Sequence, residues 1–139
     1  MVLIAVGDEV LAIEIGRLLP GDKTYARSSE TASALRRQIH EAQPAIVVLD
    51  VTMGGQRWSA MATLGKILAV RSAPALVLIT PWSSRKVDRV AAAAGCYDVV
   101  PRSLKDATTA RMVAAKIHEA RQWREEQLSS GAHVDGVLH

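Results

Sequence analysis

The chain has 139 residues, 49% of them apolar, and a net charge of +3. That is core enough for one domain, too apolar for a disordered polyelectrolyte and too weakly basic to argue for nucleic acid by charge. A single cysteine, Cys96, makes no internal disulfide, and the 4 histidines are scattered, so no zinc pattern arises and a reducing, cytoplasmic setting is expected.

Residues 2–6 open the chain as an apolar run of strand length, rich in β-branched residues. The run lacks a basic leader and soon meets Asp8 and Glu9, so it does not read as a signal peptide. Gly7-Asp8-Glu9 leads into a helical pattern marked by Val10, Leu11, Ile13, Ile15, Leu18 and Leu19. After the Pro20-Gly21-Asp22 turn, residues 23–27 form a polar strand, expected at a sheet edge. Ala32, Leu35, Ile39 and Ala42 mark a second helix, capped by Ser29 and stopped before Pro44.

Residues 45–49 and 75–79 are further apolar strands, separated by a helical pattern over 58–70. A fourth helix over 84–94 is closed by Gly95, and a fifth strand follows through Tyr97, Val99 and Val100. A long fifth helix covers 103–128; after Leu128 the pattern fades, so 1–128 reads as the domain and 129–139 as a mobile tail or linker start. No apolar run approaches the roughly 18 residues of a membrane span. Continuous apolar strands are covered on both faces, as in a parallel sheet between helices. Five strand–helix units therefore predict a doubly wound α/β sheet with right-handed crossovers.

Ligands in such sheets bind outside the carboxyl ends of the strands. There the sequence puts Asp8, Asp50, Thr80 and, after the fifth strand, Pro101-Arg102. Two carboxylates suit a hard cation such as Mg²⁺, and a hydroxyl with a cation suits an anionic group. Any one of these residues is ordinary at a strand end, where Asp caps helices and Thr is a common strand former. Their joint placement at the ends of central strands is not ordinary.

These residues carry a resemblance to the receiver domains of two-component response regulators, over residues 1 to 125. The matching stretches are 2–9, ending in Gly7-Asp8-Glu9; 44–53, holding Asp50, Thr52 and Met53; 76–80, ending in Thr80; and 95–100, with Tyr97, Val99 and Val100. The resemblance implies a (βα)5, flavodoxin-like fold with strand order 2-1-3-4-5. It also implies that Asp50 accepts a phosphoryl group from a histidine kinase. Mg²⁺ would be held by Asp8, Asp50 and the backbone carbonyl of Thr52, while Thr80 and Arg102 would contact the phosphoryl oxygens.

The pocket departs from the family pattern at several points. Gly7 replaces the first of two adjacent acids, which lowers the charge of a Mg²⁺ site; Glu9 is expected in the first helical turn instead. Arg102 stands where a lysine is usual and Ser103 where a proline is usual, and a planar fork differs from a point charge. Arg102 either reaches a phosphate or pairs internally with Asp50 or Asp8. Pro81 has no N–H to give the phosphoryl group. Gly54-Gly55 and Trp58 alter the loop after Asp50, and Val99 occupies the usual aromatic switch position, with Tyr97 expected on the same strand face.

The expected function is a non-enzymatic, receiver-like signalling module with a degenerate acceptor site and weak or lost Mg²⁺ binding. It would act by contact with a histidine kinase or a downstream target. Tyr97, Val99, Trp123 and Leu128 are its interface candidates, including for a homodimer through the face of the fourth and fifth helices, with no direct nucleic-acid or membrane partner. The alternatives are a competent receiver phosphorylated on Asp50 and, in another class, a small-molecule-binding flavodoxin-like domain. Cys96 is expected to be a buried, inert thiol.

Overall fold

The computed structural model describes residues 1–26, 32–50, 74–81, 89, 91–92 and 96–138. Strands β1 (Val2–Ala5), β3 (Ile46–Asp50) and β4 (Ala75–Thr80) are buried along their whole length, as continuous apolar runs require. Between β1 and β3 in the chain lies β2 (Lys23–Tyr25), short, polar and partly exposed. The last strand is β5 (Cys96–Pro101). All pairings are parallel and the order is β2-β1-β3-β4-β5. This is the expected doubly wound order, with the polar strand at an edge.

Helix α1 (Glu9–Leu18) follows β1, α2 (Ala32–Ala42) follows β2, and α3 (Asp106–Leu138) follows β5. The helix expected over 58–70 lies outside the described residues, as do the cap Ser29 and the altered loop with Thr52, Gly54, Gly55 and Trp58. Within 84–94, Arg89, Ala91 and Ala92 are described and helical. Gln43, with φ 46°, turns the chain out of α2 ahead of Pro44. Among the described residues no helix is long and apolar enough to cross a membrane.

Strand alternation divides the core in two. On one face Val2, Ile4, Val48 and Val77 pack with Leu11 and Ile15 of α1 and Val113 and Ile117 of α3. On the other, Leu3, Val47, Leu49 and Leu78 pack with Leu35 and Ile39 of α2 and with Ala91. The helices thus sandwich the sheet, and the carboxyl ends of β1, β3 and β4 open on one edge.

Two expectations are corrected. The C-terminal helix begins at Asp106 rather than 103 and does not stop at Leu128; it continues to Leu138. At its start, Ser103 donates its N–H to the Thr109 hydroxyl at 2.9 Å and Lys105 donates to Ser103 Oγ at 3.4 Å, which holds 103–105 in a turn. At its end no proline follows Pro101 to remove an N–H from the ladder, so the nucleated helix propagates through Gly131 and Gly136 despite their poor helix propensity.

The second correction concerns β5. Leu76 pairs with Cys96 but Val77 pairs with Asp98, so Tyr97 is the extra residue of a bulge. The bulge breaks the two-residue alternation. Tyr97 therefore packs on the α1–α3 side, whereas Val99 packs on the α2 side. The two do not share a face.

Candidate functional site at the carboxyl edge of the sheet

Asp50 is the last residue of β3 and Thr80 the last of β4, and both side chains are buried, at 4% and 1% exposure. The sheet register sets Asp50 beside Ile79 and Thr80 beside Pro101, so the two polar groups end adjacent strands at nearly the same level. The apolar faces of the helices cover the sheet, so among the described residues the buried polar ends of β3 and β4 come together at this edge. The Arg102 N–H donates to the Thr80 carbonyl at 2.7 Å, which continues the β4–β5 ladder and fixes the main chain from which the Arg102 side chain departs.

Asp8 sits beyond β1 as the N-cap of α1. Its extended backbone lets the carboxylate turn back on the helix, where Oδ1 accepts from the Val10 N–H at 3.0 Å and the Leu11 N–H at 3.3 Å. Glu9 occupies the first turn of α1, as expected for an acid at the positive end of a helix dipole. The other oxygen of Asp8, Oδ2, accepts from Arg102 Nη2 at 2.6 Å. Of the two roles open to Arg102, the structure shows an internal pair, and with Asp8.

The same Nη2 also reaches Asp106 Oδ1, at 3.3 Å, in the first turn of α3. One guanidinium so ties the β1–α1 loop to the head of α3. The bond from Arg102 holds the Asp8 carboxyl below the usual carboxylate value of 3.8, the Leu11 and Val10 N–H groups add to this, and partial burial opposes it. In return Asp8 first, and Asp106 second, raise the already high Arg102 pKa.

Asp106 was not singled out in the sequence. Its signal was present: an acid at i+4 from Arg102, in the first turn of a helix. A second pair outside the expected set is Lys116 Nζ to Asp98 Oδ2, 3.0 Å, which joins α3 to the bulge in β5. Beside it, Tyr97 meets Trp123 with ring centroids 5.5 Å apart and planes at 50°. Trp123 remains 44% exposed, and the Leu128 side chain lies outside the described residues. The Cys96 thiol, half-buried in β5, is pushed up to about 12 by burial.

The resemblance to receivers implies a Mg²⁺ ion between the ends of β1 and β3. Asp8 as placed does not fit that role: one of its oxygens caps α1 and the other holds a guanidinium, so a cation there would compete with one of these bonds, and Gly7 beside it brings no carboxylate. Among the described residues no three His, Cys, Asp or Glu side chains group so as to hold a metal.

Solved structures with a similar fold include several response-regulator receivers. A CheY-like receiver domain protein from Methanospirillum hungatei superposes with a TM-score of 0.73 at 16% identity, covering 91% of this chain and 96% of that one. The response regulatory domain of protein mrkE from Klebsiella pneumoniae gives 0.65 at 14% identity, over 88% and 99%. An orphan response regulator of H. pylori gives 0.62 at 12% identity, over 84% and 95%. No family model matches the sequence, and no curated protein does. The chain has the fold of CheY-like receiver domains, a flavodoxin-like sheet in the order 2-1-3-4-5.

Proposed function

We propose that this protein is a non-enzymatic signalling module of the receiver type whose acceptor pocket is altered, and that it works by protein–protein contact rather than by ordinary phosphorylation. The observation that carries the reading is the 2.6 Å bond between Arg102 and Asp8. Phosphoryl transfer to a carboxylate needs positioning and charge neutralisation from a metal and from donors aimed at the phosphoryl oxygens. Here the cation after β5 is engaged with Asp8 and Asp106, and Pro81 has no N–H to offer.

The partner is a signalling protein, a histidine kinase or a downstream target. The face around Tyr97, Trp123 and the Asp98–Lys116 pair is the surface we assign to it or to a second copy of the chain. Val99 lies on the other side of the sheet and is a weaker candidate. A competent receiver is the second reading, favoured by Asp50 and Thr80 standing buried at adjacent strand ends.

Intact-protein mass after incubation with acetyl phosphate and Mg²⁺ separates the two, with Asp50→Asn alongside. No adduct on either protein is expected. A hydroxylamine-labile phosphoryl adduct on wild type alone would restore the ordinary mechanism, with Arg102 in the place of lysine.

A further inference from the structure

Three elements meet on the Arg102 side chain. Its main chain is held by the bond from its N–H to the Thr80 carbonyl, 2.7 Å. Its Nη2 reaches Asp8, 94 residues away in sequence, at 2.6 Å, and Asp106 in the first turn of α3 at 3.3 Å. The two N–H groups of that one nitrogen can serve the two carboxylates at once, and a guanidinium is more weakly hydrated than a compact ammonium, which favours such internal pairing.

The charges of the edge agree with this. A pocket with a further acid at position 7 would present three carboxylates to a divalent ion. With Gly7 it presents Asp8 and Asp50, and the charge of Asp8 is already answered by Arg102. A divalent ion placed on Asp8 Oδ2 would have to displace the guanidinium or stand beside it, and like charges at that separation repel strongly. Binding through Oδ1 would instead take the acceptor from the Val10 and Leu11 N–H groups and uncap α1.

We propose that the Arg102 guanidinium is the resident cation of this edge. It takes the place a divalent metal would have, excludes that metal, and ties the β1–α1 loop to the head of α3 whether or not Mg²⁺ is present. The proposal rests on the receiver-type reading above and extends it. The module is metal-independent, and the face formed by β5 and α3 is held in one arrangement by a bond within the chain.

The test is Mn²⁺ uptake by the full chain, read as loss of the free-ion electron paramagnetic resonance signal, with thermal unfolding in Mg²⁺ and in EDTA beside it. Wild type is expected to take up no Mn²⁺ and to unfold at the same temperature in both buffers. Arg102→Ala, shown to be folded by circular dichroism, is expected to take up Mn²⁺ at concentrations about tenfold or more below the highest at which wild type shows none, the range over which groups around a metal site alter its affinity.

Mn²⁺ uptake by wild type equal to that of Arg102→Ala would overturn the proposal, as would a Mg²⁺-dependent rise in the wild-type unfolding temperature. A folded Arg102→Ala that gains no affinity would overturn it too. The wild-type arms need no variant, so a misfolded Arg102→Ala leaves the test intact. The acetyl phosphate experiment reads the other claim. An adduct on Asp50 without Mn²⁺ uptake defeats the altered-acceptor reading and leaves the cation assignment standing, and uptake without an adduct does the reverse.

Discussion

Arg102 and Asp8 meet at 2.6 Å although 94 residues separate them, and Asp8 spends its second oxygen on the N-terminus of α1. The carboxylate has two separable jobs. Asp8→Asn keeps a good cap and loses the ion pair; Asp8→Ala loses both. Ala at an N-cap costs about 1 kcal/mol, whereas a pair whose side chains are about a third exposed is screened and contributes at most about 1 kcal/mol. Urea denaturation is expected to rank the proteins wild type, Asp8→Asn, Asp8→Ala in falling stability, and equal losses for the two variants would refute the division.

The acid limb of stability follows from the same pair. Arg102 lowers the folded-state pKa of Asp8 beneath its ordinary value of 3.8. The contribution is therefore fully present above that value and is lost as pH falls through the lower folded one. Arg102→Ala should flatten the fall in stability below about pH 4, measured by chemical denaturation across pH. An unchanged slope would show that other carboxylates dominate the limb.

Cys96 gives the alkaline counterpart. Burial raises its thiol from 9.0 to about 12, so the folded state keeps the proton that the unfolded chain releases. Stability is complete below the unfolded value and declines as pH rises from 9.0 towards 12. At neutral pH the native thiol should react with a disulfide reagent far more slowly than the urea-unfolded chain, because the thiolate is the nucleophile. Equal rates would count against it.

Ile117 is fully buried where α3 meets the sheet, between Val113 and Ala120 on the same stripe. Ile117→Ala should cost about 2–5 kcal/mol through lost transfer energy and the cavity left behind. A loss well below that range would mean that α3 packs loosely on the sheet. The denaturation midpoint decides it.

Trp123 packs on Tyr97 with the rings tilted at 50° yet is 44% exposed, which leaves part of a large aromatic side chain open to solvent. If that surface is an interface between copies, Trp123→Ala should lower the mass seen by light scattering while the far-ultraviolet circular dichroism stays the same. A wild-type mass already equal to one chain would remove the homodimer and leave the surface to another partner.

Much of the fold was legible along the chain. Apolar runs over 2–6, 45–49 and 75–79 are local signals, because a strand covered on both faces has no polar alternation to lose. They predicted β1, β3 and β4, and the polarity of Lys23–Tyr25 predicted an edge. Asp50 and Thr80 could be placed at the strand ends for the same reason: a polar residue that closes an apolar run marks where the strand leaves the core.

The face of Tyr97 was not legible. A bulge depends on how β5 registers against β4, and one extra residue reverses the side of the sheet that its neighbours face. Nor was the end of α3 legible, where 129–138 holds Gly131 and Gly136, both poor helix formers, but no proline, and the helix runs through them.

The choice made by Arg102 separates the two kinds of knowledge. The sequence by itself determined that a cation follows β5, that Gly7 stands beside Asp8, and that the strands bring their carboxyl ends to one edge. Only the tertiary structure decided that the guanidinium closes on Asp8 and Asp106. Backbone periodicity is set by neighbours a few residues away, whereas an ion pair between residues 94 apart exists only once the sheet has brought β1 and β5 together.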